Sequence, residues 1–91
     1  MNLFEVNAKN SVLKFIKKTD SKTKQRLKDI IITLKDNPVP ARIYDVAKLK
    51  GFDSTYRLRI GNLRLVYEVF WADKKILLHK IESRESVYES M

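Results

Sequence analysis

The dipeptide Gly61-Asn62 constrains this chain more than any other feature, because it joins a stretch that alternates apolar and polar residues to an apolar-rich return strand. Tyr56-Arg57-Leu58-Arg59-Ile60 precedes it and Leu63 through Trp71 follows it. Two-residue hairpin turns demand positive φ, which Gly and Asn tolerate, so the pair predicts a β-hairpin of one register. In that register Ile60 faces Leu63, Arg59 faces Arg64, Leu58 faces Leu65, Arg57 faces Val66 and Tyr56 faces Tyr67. Successive strand side chains point to opposite faces. One face therefore holds Tyr56, Leu58, Ile60, Leu63, Leu65, Tyr67 and Val69, a candidate core, and the other holds Arg57, Arg59 and Arg64.

Upstream of residue 38 the apolar period is helical. Leu3-Phe4-Glu5-Val6 reads as a first strand, and Asn7 as the N-cap of a helix whose apolar face is Ala8, Val12, Phe15 and Ile16. Thr19-Asp20-Ser21 supplies a second N-cap after a very short connection, and Leu27, Ile30, Ile31 and Leu34 make the next stripe. That helix is expected to stop at Asn37-Pro38, with Asn in a left-handed cap. Two amphipathic helices joined so closely predict an antiparallel αα-hairpin. Residues 38–45 read as a loop, Ala47-Lys48-Leu49-Lys50 as a strand ended by Gly51, Ala72-Asp73-Lys74 as a turn, and Ile76 through Ile81 as a last strand. The sum is an α+β fold: an N-terminal αα-hairpin on one face of a mainly antiparallel sheet of about four to five strands. Ninety-one residues, 44% of them hydrophobic, suit a single domain spanning 1–91.

Charge narrows the function. Nineteen Lys and Arg against eleven Asp and Glu leave a net charge of +8, which steers a protein toward polyanions such as nucleic acid. A lysine-rich solvated surface would give the same sum. The chain has no cysteine, which excludes disulfides, thiolate metal sites and cysteine nucleophiles and suits a reducing cytoplasm. No apolar run approaches the roughly 18–20 residues of a membrane span. His79 is the only histidine, so no two-His nuclease pair or His-based metal site is expected. A three-residue loop at Ala72–Lys74 would put Lys80 on the arginine face and turn His79 toward the helices. Trp71 reads as core or rim, and no phosphate loop, nucleophile elbow or paired-carboxylate site is present. Neither metal nor cofactor is expected.

Like charges directly across a strand pair are destabilising by roughly 0.2–1 kcal/mol. The Arg59–Arg64 pair with Arg57 beside it makes sense if an anion sits among them. Guanidinium forks match phosphate oxygens bidentately, so the three form a candidate phosphate clamp. Lys48, Lys50 and Lys80 would extend the field as RNA-binding residues. A solvated outer face that keeps the sheet soluble is the plainer alternative.

The same residues carry a resemblance to a known family. Asp45-Val46-Ala47-Lys48-Leu49-Lys50-Gly51, then Tyr56-Arg57-Leu58-Arg59-Ile60-Gly61 and Leu63-Arg64-Leu65-Val66-Tyr67, resemble the central block of the RelE toxins of the RelE/ParE superfamily. Ser83-Arg84-Glu85-Ser86-Val87-Tyr88 resembles the family's C-terminal arginine-and-tyrosine motif. The resemblance implies a RelE-like toxin of a type II toxin–antitoxin pair, held by a RelB-like antitoxin. It implies metal-independent cleavage of mRNA on the ribosome by 2′-hydroxyl attack, leaving a 2′,3′-cyclic phosphate. Arg57, Arg59, Arg64, Arg84 and Tyr88 then become the catalytic positions. Tyr88 would move a proton or stack on a base. Several family members have lysine where this chain has Arg57 and Arg59, and arginine cannot serve as a general base. Glu82 and Glu85 flank Arg84, where many relatives are more basic. Two other readings are a ParE-like toxin directed at gyrase and a non-catalytic RNA- or ribosome-binding module.

Overall fold

The change from helical to alternating periodicity marks a boundary between two layers. A computed structural model, which describes residues 3–83, sets helices α1 (Asn10–Lys18) and α2 (Ser21–Asp36) against a five-stranded sheet. Its strands are β1 (Glu5–Ala8), β2 (Asp45–Lys48), β3 (Thr55–Ile60), β4 (Leu63–Phe70) and β5 (Lys75–Ser83), in the spatial order β1-β5-β4-β3-β2. β2 through β5 form an antiparallel meander, and β1 adds to β5 in parallel. This is the α+β arrangement anticipated from periodicity. Val12 of α1 and Ile30 and Leu34 of α2 pack with Leu58, Leu65, Tyr67, Val69, Ile76 and Leu78 from one face of the sheet.

The β3–β4 hairpin has the anticipated register throughout, from Ile60↔Leu63 to Tyr56↔Tyr67. Gly61 takes φ +56° while Asn62 stays out of the positive-φ region, the pattern of a type II′ turn. A Cβ on Gly61 would lie 3.1 Å from Arg26 Nη1, so the turn needs glycine for its backbone and fits it closely.

Several local expectations give way to pairing. Asn7 does not cap a helix: β1 runs through Ala8, because Asn7 and Ala8 pair with Leu77 and Leu78. Asn7 Nδ2 instead donates to Glu5 Oε2, and α1 starts at Asn10 after Lys9, with no side-chain cap. Ala8 thus belongs to the strand rather than to the helix stripe. Asn37 is extended (φ −140°, ψ 101°) rather than left-handed, since a residue before proline is driven out of helical space. β2 begins at Asp45, two residues before the expected start, because Asp45 and Val46 pair with Arg59 and Leu58. Trp71 is a rim residue, half exposed and edge-on to Phe4 at 5.8 Å.

Two polar contacts fix the start of α2 and the loop after it. Asp20 caps α2 as anticipated, its carboxylate accepting from the Thr23 N–H at 2.8 Å. Hydrogen bonding from Thr23, through its side chain and then its backbone N–H, holds the Asp20 carboxyl below its ordinary value. Tyr67, fully buried and stacked on Tyr56, donates its hydroxyl to Pro38 O at 2.7 Å. Burial pushes its phenol well above the usual range, so it stays protonated. Tyr67→Phe leaves the Pro38 carbonyl unpaired and should cost about 1–3 kcal/mol in urea unfolding, with the fold retained. Asp20→Ala should lower the thermal midpoint by roughly 4–8 °C. The Asp20 cap should act fully above the ordinary carboxyl value of 3.8 and fade as pH falls through the lowered folded-state value.

Candidate functional site

The face of the sheet turned away from the helices collects the cations. Arg57 and Arg59 of β3 and Arg64 of β4 share it, with Arg59 directly opposite Arg64. Lys80 of β5 joins them, because it pairs with Val66, which in turn pairs with Arg57. Val66, 7% exposed, forms an apolar floor. Its same-face neighbours are Arg57 and Lys80 across the sheet and Arg64 and Glu68 along β4.

The anion that such a cluster calls for is supplied in part by the chain itself. Asp45 is the cross-strand partner of Arg59. Its Oδ2 receives Arg59 Nε at 3.0 Å and Nη2 at 2.8 Å, and lies 3.6 Å from Arg57 Nη1. The hydrogen bond from Arg59 holds the Asp45 carboxyl below its ordinary value. Sequence reasoning missed this residue by starting the strand at Ala47; a start at Asp45 would have placed the carboxylate against Arg59. The arginines differ in access. The Arg59 side chain is 59% exposed and that of Arg57 only 15%. Arg57 Nη1 is buried and has no hydrogen-bond partner among the described residues. Arg64 is exposed, with Glu82 as its neighbour on β5.

The lysines separate. Lys48 pairs with Tyr56 and so stands on the helix side of the sheet, apart from the arginine face. Lys50 lies in the exposed turn before Gly51, outside any strand. Only Lys80 shares the cation face. Arg84 and Tyr88 lie outside the described residues.

His79 is not turned toward the helices as expected. The connection after β4 spans four residues, Trp71–Lys74, which alone would reverse the faces of β5. A bulge then restores them: Val66 pairs with Lys80 and Tyr67 with Leu78, leaving His79 as the extra residue. The bulge aims His79 at Glu68, with Nε2 2.9 Å from Oε1. Lys80 Nζ lies 3.8 Å from Glu82 Oε1. Among the described residues no group of three His, Asp or Glu side chains is placed to hold a metal ion. The face offers fixed, mostly solvent-accessible cations over a small apolar floor, which suits a phosphodiester flanked by apolar sugar and base surface.

Known proteins share this arrangement of elements. A model of the ParE toxin family of type II toxin–antitoxin systems matches residues 3–88. The chain is 40% identical over 87 residues to the putative toxin RelE1 of Methanocaldococcus jannaschii, covering 96% of this chain and 97% of that protein. Its fold is similar to that in the crystal structure of an archaeal RelE–RelB complex from Pyrococcus horikoshii, with a TM-score of 0.83, 31% identity, and coverage of 92% and 97% of the two chains. The fold also matches that in a RelB–RelE antitoxin–toxin complex from Methanococcus jannaschii, with a TM-score of 0.72, 25% identity, and coverage of 93% and 98%. Likeness of sequence and of fold along nearly the whole chain gives one result: the chain belongs to the RelE/ParE family of toxins of type II toxin–antitoxin systems.

Proposed function

We propose that this toxin is a ribosome-dependent, metal-independent mRNA endoribonuclease of the cytoplasm. The carrying observation is the shared face of Arg57, Arg59, Arg64 and Lys80, held rigidly by one hairpin and its neighbouring strand. In-line attack of a 2′-hydroxyl on its neighbouring phosphate gathers negative charge on the phosphate oxygens. Preplaced guanidinium donors stabilise that charge without reorganising. The ribosome supplies the alignment that free RNA lacks. The products are a 2′,3′-cyclic phosphate and a 5′-hydroxyl. Arg84 and Tyr88 are assigned to the site by family likeness alone.

Asp45 acts here as a stand-in for substrate. Its carboxylate is half exposed, and an ion pair screened by solvent is weak. An incoming phosphate offers more charge and more acceptor oxygens, so it displaces Asp45 from Arg59 and Arg57 at small cost. A RelB-like antitoxin is the proposed inhibitor, in line with the RelE–RelB complexes known for similar chains. The ParE description of the matching family favours a second reading, a toxin directed at gyrase. The clustered arginines weigh against it.

Induced expression without antitoxin should arrest growth and cut messages in phase with codons. Intact messages with damaged DNA would favour the gyrase reading instead. Replacing Arg59 and Arg64 together with Ala should lower cleavage on purified ribosomes by at least about a hundredfold and relieve the arrest; undiminished cleavage would remove the proposed site. Asp45→Asn should tighten RNA binding several-fold at fixed salt, while Arg59→Ala should weaken it and reduce the slope of log affinity against log salt by about one.

A further inference from the structure

The bulge in β5 delivers one titratable side chain to the edge of the cation face. His79 Nε2 lies 2.9 Å from Glu68 Oε1, and the two side chains are 25% and 33% exposed. An ionised carboxylate can only accept, so in the neutral imidazole this contact favours the proton on Nε2 and leaves Nδ1 as a lone-pair acceptor. This is the logic by which a carboxylate orients a catalytic imidazole. Neighbouring strands stand about 4.8 Å apart, and same-face residues along a strand about 6.8 Å. A phosphate centred over Val66 is therefore within side-chain reach of Arg57 and Lys80 across the sheet, and of Arg64 on one side along β4. Glu68, with His79, lies on the other. The charged groups around the imidazole are Glu68 on β4, Arg57 diagonally across from Glu68 on β3, opposite Val66, and Lys80 on β5 itself. Lys9 completes them at the end of β1, its backbone N–H bonding Leu78 O.

We infer that His79, oriented by Glu68, is the general base for RNA cleavage on this face, an assignment that rests on the endoribonuclease reading above. Among the described residues, arginine cannot take the proton from a 2′-hydroxyl, and the buried Tyr67 phenol stays protonated and points to Pro38; Tyr88, assigned by family likeness alone, lies outside them. His79 Nδ1 accepts the 2′-hydroxyl proton as the 2′-oxygen bonds to phosphorus. The bond from phosphorus to the 5′-oxygen breaks, and the departing oxygen takes a proton from solvent. His79 then returns its own proton to solvent, so no group is consumed. Arg57, Arg64 and Lys80 hold the phosphate oxygens meanwhile. Glu68 is a positioning residue and His79 the catalytic one.

The test is single-turnover cleavage of mRNA in the A site of purified ribosomes, followed from about pH 5 to 8, the span in which imidazole changes charge. The wild-type rate should rise across that span to a plateau. His79→Gln should lower the plateau roughly 10²–10⁴-fold and abolish the rise. Glu68→Gln should lower the plateau by a smaller factor than His79→Gln, because an amide no longer fixes which imidazole nitrogen faces the 2′-hydroxyl. Added imidazole should restore part of the rate to His79→Ala, which a purely structural histidine would not allow. A flat wild-type profile overturns the inference, as does a His79→Gln variant with unchanged rate and profile. If Arg59→Ala/Arg64→Ala abolishes cleavage in the same assay, the endoribonuclease reading survives that failure. Absence of cleavage by the wild type at every pH overturns both. Should the His79 variants fail to fold by thermal melting, the wild-type profile and the Glu68→Gln rate decide.

Discussion

The register of the β3–β4 hairpin governs everything on the sheet's outer face. A slip of one residue would exchange Arg57, Arg59 and Arg64 for Leu58, Leu65 and Tyr67 across the sheet. Each buried apolar side chain of that size contributes about 1.5–3 kcal/mol. A cross-strand pair of like charges costs only about 0.2–1 kcal/mol. Core burial thus overrides the repulsion between Arg59 and Arg64 and holds the guanidinium groups together. Gly61 makes the arrangement possible, since its positive φ lets the chain reverse within two residues.

A cation cluster imposed by the core still needs an anion, and Asp45 meets part of that need. The short strand β2 brings its carboxylate onto Arg59 and near Arg57. Neutralisation from an exposed edge strand leaves the face occupied but exchangeable. An anion of higher charge can take the same donors without disturbing the core beneath, because Asp45 is not one of the residues that build it. Stability and the proposed phosphate affinity are in this way assigned to opposite faces of one hairpin.

The connection between β4 and β5 shows how two local irregularities can cancel. A four-residue turn shifts the strand by one position relative to a three-residue loop, and the bulge at His79 shifts it back. Lys80 ends up on the anticipated face for a reason different from the one periodicity suggested. His79 ends up on the opposite side from the expected one. The bulge is also where Ile81 and Leu78 both remain packed toward the helices, although their spacing is odd.

The alternation around Gly61-Asn62 and the apolar stripes of α1 and α2 were sufficient, by themselves, for the α+β class, the hairpin register and the clustering of Arg57, Arg59 and Arg64. These are consequences of side-chain periodicity, which is local. Tertiary structure decided what depends on long-range pairing: the parallel addition of β1 that removed Asn7 and Ala8 from the helix, the Asp45–Arg59 contact, the core-side position of Lys48 and the bulge that paired His79 with Glu68. Strand ends and bulges are set by ladder hydrogen bonds and core packing with distant segments, and a single strand's composition holds no record of its neighbours.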